Sequence, residues 1–180
     1  MSDTCQTPVD APRFVLVTEW ALTATIERVW AALTAPDEWP RWWKYVARVE
    51  LVTEGDADGI GAVRRYTWTS RLPYRLTFDM TTRALAAPHE IEGLATGELR
   101  GVGRWSLRAA QDGVRVRYDW RVTPAKAWMR RLAPLLAPLF AWNHDQVMAE
   151  GARGLARHLG VTLLGHRRVP HDAATMPFQP

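Results

Sequence analysis

A chain of 180 residues that is 47% hydrophobic and 23% charged carries enough apolar side chain for one buried core, which excludes a disordered polymer and leaves no length for several large domains. Its formal net charge of +4 comes from arginines scattered along the chain rather than gathered in a block, which argues against a nucleic-acid partner and weakly for anionic ligands. The single cysteine, Cys5, excludes an internal disulfide and a cysteine zinc site, and no apolar run approaches the ~18 residues of a membrane span, so the expectation is a cytoplasmic protein with no signal peptide and no stable membrane insertion.

Residues 1–12 read as a Pro-bearing tail. From Arg13 to Leu22, Phe14, Leu16, Thr18, Trp20 and Leu22 alternate with Val15, Val17, Glu19 and Ala21, the period of a strand. Thr23 or Thr25 then caps a helix in which Ile26, Val29, Trp30 and Leu33 share one side, and Pro36 stops it. A second short helix covers about 36–42. The period then changes to two. Strands are predicted at 45–54, 62–70, 74–81 and 89–97, with breaks at Gly55-Asp-Ala-Asp-Gly59, Leu72-Pro73 and Ala86-Ala-Pro88. Residues 100–110 place Trp105 and Leu107 on one face. After the Gln111-Asp-Gly113 turn, Val114, Val116, Tyr118, Trp120 and Val122 oppose Arg115, Arg117, Asp119 and Arg121 in the cleanest amphipathic strand of the chain. Pro124 ends the sheet. A helix is predicted over 126–160, interrupted or kinked at Pro134 and Pro138. Beyond Val161 no period remains, so 161–180 reads as a second flexible tail around a domain of residues 13–160.

Strand, two short helices, about six more strands and one long helix make an α+β fold: a curved antiparallel sheet of about seven strands wrapped around the C-terminal helix, with a space between them suited to a small apolar ligand. The ten tryptophans fill such a core, or in one or two cases line a cavity in it.

Three segments carry a family resemblance: Ala24-Thr-Ile-Glu-Arg-Val-Trp30, Pro36-Asp-Glu-Trp-Pro-Arg-Trp-Trp43, and Trp142-Asn-His-Asp145 with Gly151 and Leu155. With the element order they resemble the START-like (SRPBCC) superfamily, and most nearly its bacterial polyketide cyclase/dehydrase-like branch. The resemblance implies the helix-grip fold with a deep apolar cavity. Superfamily members range from enzymes to carriers to regulators, so it implies no single reaction. Ring-hydroxylase relatives hold mononuclear iron on two histidines and a carboxylate. The five histidines here, His89, His144, His158, His166 and His171, do not repeat that spacing, so neither a metal nor another cofactor is expected.

On a helix at 100° per residue, Phe140, Val147, Met148, Gly151, Leu155 and Leu159 form an apolar stripe with His144 near its centre and Asn143 beside Glu150 on one flank. The stripe should face the sheet. His144 and Asn143 are therefore the candidate catalytic pair, an imidazole to move a proton and an amide to orient a carbonyl, unless a strand hydroxyl simply satisfies the histidine. Tyr66, Trp68, Tyr74, Phe78, Trp105, Tyr118 and Trp120 from the strands, with Phe140, Val147 and Met148 from the helix, are the candidate ligand-binding residues; core packing is the competing reading for each. Arg104 points either way. Glu90 and Glu92 share a face, but read more readily as solvated charges than as a buried pair. Asp37, Glu38 and Arg41 read as surface charges at a cavity mouth, and Gly101 with Gly103 as a bend in the sheet. The expected function is binding of a small hydrophobic or aromatic, polyketide- or lipid-like molecule. The alternatives are a cyclase or dehydratase using His144, and a regulatory protein-interaction domain similar to co-chaperone activators. A homodimer remains an open assembly state.

Overall fold

The computed structural model describes residues 14–71 and 74–169. Cys5, His171, the Leu72-Pro73 break and the outer parts of both expected tails lie outside the described residues. Strand β1 (Phe14–Leu22) is followed by helix α1 (Ile26–Leu33), a 3₁₀ turn (Pro36–Glu38) and the short helix α2 (Trp39–Trp42). Six strands come next: β2 (Val46–Thr53), β3 (Val63–Trp68), β4 (Leu76–Ala86), β5 (Glu90–Gly97), β6 (Leu99–Ala110) and β7 (Gly113–Pro124). Helix α3 (Ala127–Leu159) and strand β8 (Leu163–Val169) complete the order. All eight strands form one antiparallel sheet in the order β2-β3-β4-β5-β6-β7-β1-β8. This is the helix-grip architecture.

Period-two patterning sets the faces. β1 pairs with β7 so that Phe14 lies opposite Val122, Leu16 opposite Trp120, Thr18 opposite Tyr118, Trp20 opposite Val116 and Leu22 opposite Val114. All of these lie on the inner face. The helix pair buries Ile26, Val29 and Leu33 from α1 and Trp39 and Trp42 from α2. Thr25 occupies the N-cap of α1 without a side-chain cap bond. The Thr23 hydroxyl instead accepts the backbone N–H of Thr162 at 3.0 Å, and the Thr23 N–H donates to the Thr162 carbonyl at 3.0 Å. The chain leaving α3 is thereby fastened to the chain leaving β1.

Two expectations are corrected. The long helix is not interrupted: helical backbone runs from Ala127 to Leu159 through both prolines, and a proline inside a helix costs a hydrogen bond that packing along the rest of α3 offsets. It ends at Gly160, which takes a left-handed φ of 64° and returns its N–H to the last turn. The second correction concerns the tail. Residues 163–169 form β8, which pairs with β1 from Leu22↔Leu163 to Val17↔Val169 and raises the strand number from about seven to eight. Arg167 bonds Glu19 through its Nε at 2.8 Å, and Glu19 and Asp119 flank Arg117, which is 5% exposed. Strand β8 is thus held to its neighbour by ladder bonds and ion pairs rather than by an apolar face.

Candidate functional site

Two cavities occupy the space between the inner face and the helices. The first, of ≈ 150 Å³, lies between β1, β4, β6, β7 and α3. Nine of the ten expected ligand-binding side chains line it: Trp68, Tyr74, Phe78, Trp105, Tyr118 and Trp120 from the sheet side, and Phe140, Val147 and Met148 from α3. Asn143 and His144 line it as well. The exception is Tyr66, which lines the second cavity, of ≈ 630 Å³, beneath α1, the 3₁₀ turn and the β2–β3 connection. Trp39, Trp68, Phe78, Trp105 and Tyr118 line both. An aromatic waist therefore separates two chambers. A 150 Å³ apolar cavity accommodates about one benzene ring.

The polar side chains of the first chamber come from one turn of α3. Asn143 Oδ1 and both ring nitrogens of His144 are buried and take no hydrogen bond among the described residues. A buried polar atom left without a partner costs ~1–3 kcal/mol, so this turn favours a ligand that brings a hydroxyl or carbonyl. Tyr118 lies nearly parallel to the His144 ring, centroids 6.5 Å apart. Burial, reinforced by the positive charges of His166 and Arg168, pushes the His144 pKa down to about 4. At neutral pH the imidazole is uncharged, one nitrogen donating and the other accepting. Burial also pushes the phenols of Tyr66 and Tyr118 up, so both stay protonated. Behind His144, His166 on β8 sits 3.6 Å from Asp145, and burial lowers the His166 pKa as well, opposed by Asp145.

This arrangement has a consequence for stability. The unfolded His144 binds a proton near pH 6.5 and the folded one only near pH 4, so between those values the unfolded state holds more protons and stability falls as the solution is acidified. Over the full window the loss for His144 amounts to about 3 kcal/mol. Urea unfolding at pH 7 and pH 4.5 is expected to show a drop that is markedly smaller in His144→Leu. An equal drop in both proteins would mean that the buried imidazole is not its source.

Sequence reasoning missed several lining residues. Phe14, Leu16 and Leu99 contribute to the first chamber; the alternation of β1 already turned the first two inward, whereas Leu99 fell between two predicted strands and begins β6. Arg64 is the more instructive omission. It shares the inner face of β3 with Tyr66 and Trp68, lines the second chamber, and has a buried Nε without a hydrogen bond among the described residues, with Asp37 3.6 Å away. An arginine at i−2 and i−4 from two inward aromatics was the available signal. Arg104 points outward, where it bonds Glu92 and pairs with Glu90 at 3.5 Å. The two glutamates therefore form no acid pair inside. Gly103 makes room rather than a bend alone: a Cβ there would lie 2.7 Å from the Tyr118 hydroxyl and 2.9 Å from the Trp120 ring, so its bare backbone lets both rings of the wall lie against the sheet.

Residues 14–160 match the family model described as "Polyketide cyclase / dehydrase and lipid transport". Among curated proteins no sequence match is found. Similar solved structures include TTHA0849 from Thermus thermophilus, with a TM-score of 0.66 at 15% identity over 81% of this chain and 99% of that one. The Zhui aromatase/cyclase from Streptomyces sp. R1128 gives 0.62 at 12% identity over 82% and 94%. The di-domain ARO/CYC StfQ from the steffimycin biosynthetic pathway gives 0.60 at 15% identity, over 82% of this chain and 53% of that protein. At such identities the likeness establishes the fold alone.

Proposed function

We propose, starting from the fact that this chain belongs to the polyketide cyclase / dehydrase and lipid transport family, that it binds a small hydrophobic ligand of polyketide or lipid kind between the sheet and α3. The observation that carries this reading is the unpartnered turn of α3: Asn143 and His144 present buried polar atoms to an otherwise apolar chamber. The aromatic waist suits fused planar rings, which stack on Tyr118, Trp105 and Phe78. Arg64 offers a cation to a carbonyl or acidic group at the ligand's far end.

A second reading, a cyclase or dehydratase in which His144 moves a proton while Asn143 or Tyr66 fixes a carbonyl, draws on the same pair and on the presence of aromatase/cyclases among the structural neighbours. The low pKa favours the first reading. With a value of about 4, only about one imidazole in a thousand is protonated at pH 7, which makes His144 a poor general acid and a weak base. Orienting a ligand requires neither role. Tyr66, in the second chamber, belongs to the opposite end of the ligand from His144.

Quenching of tryptophan fluorescence tests the proposal. Naphthalene and 1-naphthol should both bind. His144→Leu is expected to lose about five- to tenfold in affinity for the naphthol, the worth of one hydrogen bond, and none for the hydrocarbon. Failure of both probes to quench, together with a bare mass for freshly purified protein in native mass spectrometry, would sink the reading. Slow turnover of a poly-β-ketone that His144→Leu abolishes without weakening binding would put the second reading first.

A further inference from the structure

The outer side of α3 carries apolar residues that stand exposed among the described residues. Leu135 is 79% exposed, Leu139 39% and Trp142 41%. Their spacing of four and three residues aligns them on one face of the helix, opposite Phe140, His144 and Val147, which line the first chamber. Arg131 continues the same face before the apolar stretch, and Arg153 and Arg157 continue it after; all three are exposed. Glu150 is the carboxylate among them and is shared by Arg153 at 3.1 Å and Arg157 at 3.4 Å. From Pro124 to Trp142 the sequence has Lys126, Arg130 and Arg131 and no acidic residue. Lys126 is paired with Glu98, so the excess on this half of the helix rests on the arginines.

We infer that this face of α3 seats the protein on an anionic lipid surface. A large exposed tryptophan and two leucines between guanidinium groups form the pattern of a helix lying in the plane of a membrane interface, with its apolar residues at the acyl boundary and its cations at the headgroups. No helix of the described residues is long and apolar enough to cross a bilayer, so the seat is peripheral. The positive charge of this half of the helix suits an anionic surface better than a second copy carrying the same charge, since like charges at an interface oppose association. The inference goes beyond the cavity's function, yet the two meet on one helix: the seat would hold the first chamber within a helix diameter of the lipid.

Co-sedimentation with phosphatidylcholine/phosphatidylglycerol vesicles tests it. The protein is expected to bind the mixed vesicles, to bind pure phosphatidylcholine less, and to release at high salt as the headgroup attraction is screened. Leu135→Glu combined with Leu139→Glu should reduce binding at least about tenfold. Both positions are exposed, and naphthol affinity measured on the same double variant reports that the fold and the cavity are intact. Loss of vesicle binding with naphthol binding kept supports the seat. Wild-type protein that stays in the supernatant with mixed vesicles, or a double variant that binds them equally, overturns it whatever the cavity does. A wild-type dimer that the double variant dissolves, without vesicle binding, assigns the face to a second copy and overturns it too.

Discussion

Trp43→Ala is expected to destabilise the protein by about 3–5 kcal/mol, the range for removing a buried large aromatic, and with a total stability of ~5–15 kcal/mol that places the variant near or past unfolding at physiological temperature. Trp43 is 1% exposed and stands where the helix pair, the sheet and α3 meet. Its ring lies 5.7 Å from Trp20, 5.3 Å from Trp39, 5.4 Å from Trp42, 5.2 Å from Trp68 and 6.3 Å from Trp105. Its indole N–H donates to the carbonyl of Val147 at 2.9 Å. Truncation leaves a hole bounded by large rings and removes the indole's extra hydrogen bond to a helix carbonyl at the wall of the first chamber. Trp43→Phe, which keeps most of the ring and loses the donor, should cost much less. Urea unfolding followed by circular dichroism separates the two. A loss below about 1 kcal/mol for Trp43→Ala would show that this tryptophan cluster is not what joins the layers.

The second large effect runs against helix propensity. An alanine is ordinarily better than a glycine inside a helix by ~1 kcal/mol, yet Gly154→Ala is expected to destabilise by about 2–3 kcal/mol. A Cβ at 154 would stand 2.0 Å from the backbone carbonyl oxygen of Trp42, an atom held by α2 rather than by a rotatable side chain. One turn earlier, a Cβ on Gly151 would meet the Trp43 ring at 2.3 Å. The pair lets α3 lie directly against α2. Thermal unfolding gives the sign: a raised melting temperature for Gly154→Ala would mean that the two helices part easily. The expected fall would mean that their approach is fixed by bare backbone.

What could be read from the chain followed from side chains that announce their surroundings. Val114, Val116, Tyr118, Trp120 and Val122 alternate strictly, so both strand and inward face were plain, and the same holds for Phe14 to Leu22. On α3 the 3.6 period placed Phe140, His144 and Val147 toward the sheet, where they line the first chamber. Strand β8 escaped because it buries little. Leu164, Arg167 and Arg168 are exposed, and His166 is accommodated by Asp145 of α3. Its existence depends on β1 offering a free edge and on Glu19 waiting for Arg167, neither of which is a local property of residues 163–169. The division of the cavity was hidden for a related reason. Tyr66 and Trp68 share a face and their rings stack 6.5 Å apart, but only the position of Trp39, from another element, puts Tyr66 in the second chamber alone.

The pairing of β1 with β7 on one side and β8 on the other also governs how the protein comes into being. Strands β2 to β7 join neighbour to neighbour as they are made, whereas the residues of β1 wait, Glu19 for an arginine 148 positions further on. At ~5–20 residues per second on the ribosome that delay is on the order of ten seconds or more. Until β7 is made, Trp20 and Leu22, among the most deeply buried side chains of the finished molecule, lack the strand that pairs with them. Completion of the sheet at β8 is therefore a late, long-range event. The aggregation hazard carried by β1 therefore lasts until β7 pairs with it, and β8 adds only the final edge.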